Sequence, residues 1–301
     1  MASVINSTPA AEHPQSGLVA GLAAYTLWGF LPLLFKLVEH VGAATVVADR
    51  TLCSLVFVGV ILLFARRFGE VRAALADFAT VRAMALSAVL LACNWLIYVY
   101  AVETGQVLEA SFGYFINPMI NVAMGMAFLG ERQNRMQGVA IGIACVALGI
   151  QAVGLGNVPY IALGLGISFA LYGFVRKTAR VAATAGLFVE TLLLAPVALA
   201  YLAFTFATAG PGRHADPQTL FLLLLTGPAT AVPLLLFNFA VRRLRYTTVG
   251  MLQYIAPSIA FILAIVVFEE HLNWVRVLSF GLIWLSLIVF TLGSMKRPVL
   301  A

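Results

Sequence analysis

The sequence predicts an all-α polytopic membrane protein of ten transmembrane helices, built as two inverted five-helix repeats. Three observations predict it. Of the 301 residues, 62% are hydrophobic and only 10% charged, a balance no soluble globular chain of this length shows. The apolar residues fall into runs of about 20, enough helix to cross the hydrocarbon core of a bilayer. The pattern also recurs. A slide of 139 positions lays Phe115-Ile116-Asn117-Pro118 over Tyr254-Ile255-Ala256-Pro257, Glu131 over Glu270 and Asn134 over Asn273. In the same ungapped register Tyr98–Val102 overlies Phe237–Val241.

Residues 1–16 are polar, lack Lys and Arg and contain two prolines, so they read as a disordered cytoplasmic tail and not as the charged start of a signal peptide. The first repeat, 17–155, holds spans at 18–38, 44–65, 83–102, 109–129 and 136–154. The second, 156–295, holds spans at 157–175, 185–207, 219–241, 249–268 and 274–294, and 296–301 form a second cytoplasmic tail. The connections are short except 66–82 and 208–218, and none can hold a soluble domain. Gly29, Pro32, Pro196, Pro228 and Pro233 lie inside spans, which membrane helices tolerate more readily than soluble ones.

The fourth span is interrupted at depth by Asn117, Pro118 and Asn121. Proline removes a backbone donor and frees the carbonyl one turn back. In lipid that carbonyl needs protein or a water-filled cavity. Pro118 and its repeat partner Pro257 are therefore predicted helix breaks lining an internal pathway.

Basic residues set the orientation. Arg66, Arg67, Arg72, Arg82, Arg132, Arg135, Arg176, Lys177, Arg180, Arg242, Arg243, Arg245, Lys296 and Arg297 fall on one side, and only Arg213 and Arg276 on the other. Fourteen against two predicts that the first side, with both termini, is cytoplasmic. Five spans per repeat force the second repeat to enter from the opposite face. Inverted repeats characterise secondary transporters, whose sites lie near the midplane.

The runs Asn94-Trp95-Leu96, Glu109-Ala110-Ser111-Phe112-Gly113-Tyr114-Phe115-Ile116-Asn117-Pro118, Gly130-Glu131-Arg132 and Tyr172-Gly173-Phe174-Val175-Arg176-Lys177 resemble the RarD branch of the EamA-type permeases. These belong to the drug/metabolite transporter superfamily. The resemblance covers nearly the whole chain. It implies a bacterial inner-membrane location and two inverted five-helix halves around a central cavity. It also implies the first, third, sixth and eighth spans as further walls, and export as the commoner direction. It supplies no substrate.

Polar groups at membrane depth are costly and point to function. Trp28, Asn94, Tyr98, Tyr114, Asn117, Asn121, Gln253 and Tyr254 form the candidate substrate-binding set. Their amides, phenols and rings suit a small amphipathic metabolite, an amino acid or an aromatic compound. The same residues could equally serve as interhelical hydrogen bonds and filling. The set lacks the midplane Lys or Arg expected for a phosphate or polyanion.

Among the charged exceptions, Lys36 can snorkel to the outer interface, and Asp49 lies one turn inside the second span. Arg50 and Glu190 each lie about 9 Å inside opposite boundaries, taking 1.5 Å per residue, so they are expected at different depths, each anchoring one gate. Glu190 is the candidate proton carrier. Gly130-Glu131 and Glu269-Glu270 close repeat-related spans as solvated ends. Cys53, Cys93 and Cys145 read as buried apolar filling, not as disulfides or metal ligands. His40, His214 and His271 fall on outer loops and His13 in the tail, away from the midplane, and no hydrolase motif appears. The expectation is a transporter with no cofactor, no metal and no nucleic-acid partner. Its partners are lipid, a small-molecule substrate and an optional coupling proton. A passive uniporter and a non-transporting sensor or assembly protein are the alternatives.

Overall fold

The computed structural model describes residues 14–129, 135–154, 156, 158–179, 181–241, 243 and 252–295. Its α-helices are α1 (Pro14–Leu37), α2 (Ala43–Phe64), α3 (Phe68–Ala76), α4 (Phe78–Glu103), α5 (Val107–Leu129), α6 (Arg135–Gly154), α7 (Tyr160–Thr178), α8 (Ala183–Ala209), α9 (Pro217–Val241), α10 (Ile255–Val266) and α11 (Trp274–Met295). Seven of these, α1, α2, α4, α6, α8, α9 and α11, are long and apolar enough among the described residues to cross a membrane. Large apolar side chains face outward, among them Phe64 at 83%, Phe204 at 68% and Val266 at 71% exposure. An outer surface of that kind is stable only against lipid or a partner.

Hydrogen bonds between helix ends show that the chain crosses the bundle back and forth. His40 after α1 meets Thr219 at the start of α9, and Asp49 in the first turns of α2 meets His214 before α9. Glu270 after α10 bonds to the first residues of α5, and Glu109 on α5 bonds to the first residues of α7. These contacts define a far face. The described chain begins, at α1, on the opposite, near face.

Local chemistry explains the helix limits. Asp77 caps α4, its carboxylate accepting from the N–H groups of Ala79 at 3.3 Å and Thr80 at 3.1 Å. The cap starts α4 five residues before the predicted span, on turns too polar to register as membrane-spanning. At the other end Gln106 N–H reaches the Ala101 carbonyl and Gly105 N–H reaches Val102, with Gly105 at φ 64°. This is the Schellman closure, which favours glycine because other residues are strained at positive φ. It lets α5 begin after only three intervening residues.

Several sequence expectations need correction. The connection 66–82 contains α3, a short amphipathic helix with Val71 and Ala74 buried; nine residues cannot span a bilayer, so no apolar run marks it. The helix α5 continues through Pro118 instead of breaking there. One missing donor costs a single bond, and the proline φ suits a helix. The chain is interrupted instead in the second half: it is helical at Leu252, turns at Gln253 and Tyr254, and re-enters helix at Ile255. Pro257 then stands in the first turn of α10, where its lost N–H has no intrahelical partner to miss. Cys93 and Cys145 are exposed and Cys53 half-buried, so they face outward more than they fill the core. Glu131 and Asn134 lie outside the described residues.

The helices pair reciprocally. α1 packs on α9 and α10, while α7 packs on α4 and α5. α2 packs on α8 and α9, while α8 packs on α2 and α4; α6 pairs with α11, and α5 with α10. Small residues set the close approaches. A Cβ on Gly113 would sit 2.6 Å from the Ala162 carbonyl oxygen on α7, and one on Gly227 would sit 2.6 Å from the Cys53 backbone on α2. Small residues replace the missing hydrophobic drive between helices in lipid by letting backbones touch. Phe35, Phe112, Phe115 and Phe280 centre the larger core, and Val58, Met84, Leu91 and Leu187 a second one nearer α8.

The Gly113 contact yields a test of this packing. Gly113→Ala forces α5 from the backbone of α7 and should destabilise the bundle by about 1–3 kcal/mol. Gly138→Ala, which meets open space, should change nothing. Thermal melting of both variants in one detergent distinguishes them, and equal melting temperatures would remove the close α5–α7 contact.

Candidate functional site

The site is built from one side of α4. Asn94, Trp95 and Tyr98, at positions i, i+1 and i+4, are all buried. The Asn94 amide nitrogen donates to the Leu165 carbonyl at 3.2 Å and to Ser168 Oγ at 3.0 Å, both on α7. Its oxygen accepts the Tyr114 hydroxyl from α5 at 3.2 Å. A single side chain thus joins three helices. Around it the rings of Phe35, Tyr98, Tyr114, Phe169 and Tyr172 follow one another with centroids 5.8–6.0 Å apart. The first three contacts are edge-to-face, the geometry aromatic quadrupoles prefer.

Arg50 lies against this ladder. It stands seven residues into α2, about 10 Å from the helix start, and is 4% exposed. Its Nε donates to Thr230 Oγ1 at 2.5 Å. The guanidinium carbon sits 4.2 Å from the Trp95 ring centroid and 5.1 Å from that of Phe35. Its Nη1 has no hydrogen-bond partner, and no carboxylate among the described residues pairs with it.

Glu190 occupies a separate layer. It is wholly buried, and its Oε1 accepts Ser87 Oγ at 2.5 Å and faces Arg176 Nη1 at 3.4 Å. Ser87 and Trp95 are eight residues apart on α4, about 12 Å along the helix axis, so Arg50 and Glu190 stand at different depths with different partners. Arg176 also donates to the Ala183 carbonyl, so it braces the turn between α7 and α8. Glu190 Oε2 has no partner.

The other sequence-named residues divide. Asn117, one turn beyond Tyr114 on α5, is fully buried, and neither its Oδ1 nor its Nδ2 has a partner. Trp28 stands apart from the ladder, against Tyr25 at 5.3 Å and Phe237 at 5.6 Å. Gln253 and Tyr254 lie half-buried in the turn before α10, Tyr254 against the larger core. The side chains of Pro118 and Asn121 lie outside the described residues.

The far face holds polar contacts that its loop positions do not reveal. His214 is 14% exposed and bonds to Asp49 at 2.9 Å, so it is a tether and not a solvated loop histidine. Glu270 accepts the N–H groups of Val107 at 2.6 Å and Leu108 at 3.1 Å, a helix cap where a free end is expected. Burial raises its carboxyl above the ordinary range, and the two backbone donors partly offset this. A cleft of about 370 Å³ opens nearby between Leu33, Lys36, Leu37, Val267, Phe268 and Glu269, away from the central residues. Among the described residues no three His, Cys, Asp or Glu converge as metal ligands.

Sequence reasoning missed Thr230, Ser168, Ser87 and Arg176 as partners. Arg176 stands in one of the motifs quoted above, but the hydroxyls carry no sequence signal, because Ser and Thr in apolar spans usually bond to their own helix, as Thr226 and Thr230 also do here.

A model of the EamA-like transporter family matches residues 15–153 and again 159–292. An uncharacterized transporter of Pseudomonas aeruginosa is 41% identical over 290 residues, covering 95% of this chain and 97% of that protein. Protein RarD of Escherichia coli is 39% identical over 286 residues, covering 94% and 96%. A solved crystal structure 19% identical in sequence superposes with a TM-score of 0.62 over 95% of this chain and all of the other, a likeness of fold.

The Asn94 junction is testable by a double-mutant cycle. Asn94→Ala and Tyr114→Phe remove opposite ends of one bond, so their stability losses should not add. Interhelical bonds in membranes average about 0.6 kcal/mol and reach roughly 2. A coupling energy of zero in denaturation of the purified variants would remove the bond from the site.

Proposed function

On the premise that the chain belongs to the EamA-like transporter family, in its RarD branch, we propose that this membrane transporter moves a small amphipathic metabolite or drug-like compound by alternating access. The moving parts are two inverted five-helix repeats, 17–155 and 156–295, rocking about a central site in the bacterial inner membrane. The near face, towards which the basic clusters are assigned, is the cytoplasmic one.

The observation that carries this reading is the reciprocal packing. If α1, α2, α4, α5 and α6 are exchanged for α7, α8, α9, α10 and α11, each inter-repeat pairing given above maps onto another or onto itself. A related contact recurs near that register: Ile120 packs over Gly166, and Ile259, 139 positions later, packs over Gly29, whose repeat position is two residues from Gly166. A twofold arrangement of this kind supplies two equivalent closures, one at each face, between which a site at the repeat interface can alternate. The two separate stretches of family match support the same division.

Substrate contacts fall to Asn94, Tyr98, Tyr114 and Asn117, with Trp28 and Tyr254 as further walls. Asn117 is the sharpest candidate, because a buried amide with both atoms unpaired costs free energy unless a ligand completes it. Asn117→Ala should therefore weaken substrate affinity about tenfold or more while leaving the melting temperature unchanged or higher. The measurement is affinity and melting on one purified variant, using a compound found by metabolite screening and radiotracer counterflow in proteoliposomes. A drop in stability with unchanged affinity would make Asn117 interhelical glue.

The unpartnered Glu190 oxygen favours proton coupling over passive movement. Glu190→Gln should abolish accumulation driven by a proton gradient while sparing exchange. Equal loss of both would assign Glu190 to structure, as the partner of Arg176 and Ser87.

A further inference from the structure

We propose that Arg50 binds a single carboxylate, so that the transported molecule is a monocarboxylic acid with an aromatic or apolar body; this deepens, and rests on, the transporter reading above. Arg50 is a cation in an apolar interior, 4% exposed, with no carboxylate partner among the described residues. The neighbouring acid in sequence, Asp49, is held by His214 at 2.9 Å. Arg176, the other half-buried or buried guanidinium in the interior, is satisfied by Glu190. Among the described guanidiniums within the spans, Arg50 keeps a charge for a ligand.

A buried charge without a counter-ion is unfavourable, and cation–π contacts offset only part of that cost. The rings of Trp95 and Phe35 do something further by fixing the guanidinium, and Thr230 fixes its Nε end. Nη1 is left with no protein acceptor. A guanidinium with an unpartnered Nη1 suits a carboxylate, whose charge-assisted bonds are short and directional. The Tyr98 and Tyr114 rings continue from Phe35 and give the body of the acid an aromatic wall. Asn117, a turn past Tyr114, offers a second unpartnered polar group to a hydroxyl, amine or carbonyl on that body. One uncompensated cation matches a monoanion; a phosphate dianion or a dicarboxylate would leave charge unpaired.

The test is calorimetric titration of the full-length chain in detergent with matched pairs: phenylacetate and phenylacetamide, hydrocinnamate and hydrocinnamamide, phenylalanine and phenylalaninamide. The wild type should bind each acid roughly tenfold or more tighter than its amide, the scale of a hydrogen bond to a charged group. Arg50→Gln should erase that preference while keeping amide binding, and Arg50→Lys should restore part of it. If Arg50→Gln does not fold, Thr230→Val, which frees the guanidinium to turn, should weaken acid binding severalfold with the amides unaffected. Equal affinities within the pairs, a preference that survives Arg50→Gln or is untouched by Thr230→Val, or no binding by any member would overturn the proposal. Counterflow separates this failure from that of the transporter reading. Acids that bind but are not moved sink transport and leave the site. Acids moved at wild-type rates by Arg50→Gln sink the site and leave transport.

Discussion

A helix that starts at a membrane boundary exposes four backbone N–H groups, and the rest of this structure depends on where those of α5 and α7 go. Glu270, from the segment after α10, takes the first two N–H groups of α5, and Glu109, on α5 itself, takes one at the start of α7. Carboxylates are well suited there, because the helix dipole adds to the hydrogen bonds. The consequence is positional. α5 carries Tyr114 and Asn117, and α7 carries Leu165, Ser168 and Phe169, so two acidic side chains help set the height of the groups that meet Asn94 on α4. Arg276, whose own guanidinium bonds to the His271 carbonyl, stands close enough to both carboxylates to stabilise them.

Within that frame, polar groups are used in two ways. Asn94 makes three bonds to two neighbouring helices and so fastens them, with one acceptor lone pair of its oxygen left over. Arg50, Asn117 and Glu190 each keep at least one buried atom unpaired. Interhelical polar bonds contribute little on average in lipid, and close contacts such as Gly113 on Ala162 and Gly227 on Cys53 hold the helices together without them. Because packing supplies cohesion, the unpaired groups are not needed for it. They sit in separate places, Arg50 against the aromatic rings of Trp95 and Phe35, Asn117 one turn beyond Tyr114, and Glu190 in a layer of its own.

The membrane class and the seven long apolar helices were legible in the sequence, because each depends on properties read along one dimension. Apolar length marks a span, and Pro or Gly marks its irregularities. The predicted limits of α2, α6 and α11 lie within a residue of those found. Legibility failed where the signal was short or polar, as in α3 and the first turn of α4. It failed again at Pro118, since proline weakens a helix locally but neighbours decide whether it breaks. Glu270 was visible as a repeat position and invisible as a cap, because the groups it bonds lie 162 and 163 residues away.

The sequence alone determined that this chain carries long apolar helices fit to cross a bilayer and where most of them run. It also placed Arg50 and Glu190 at different depths, since depth along a helix is a count of residues at a fixed rise. Only the tertiary structure decided what those side chains touch. Partners depend on the rotation and crossing of each helix, set by whole-bundle packing around small residues such as Gly113 and Gly227 and by caps that join distant segments. That is why Arg50 meets Trp95 and Thr230, Glu190 meets Ser87 and Arg176, and the buried Asn117 amide finds no hydrogen-bond partner.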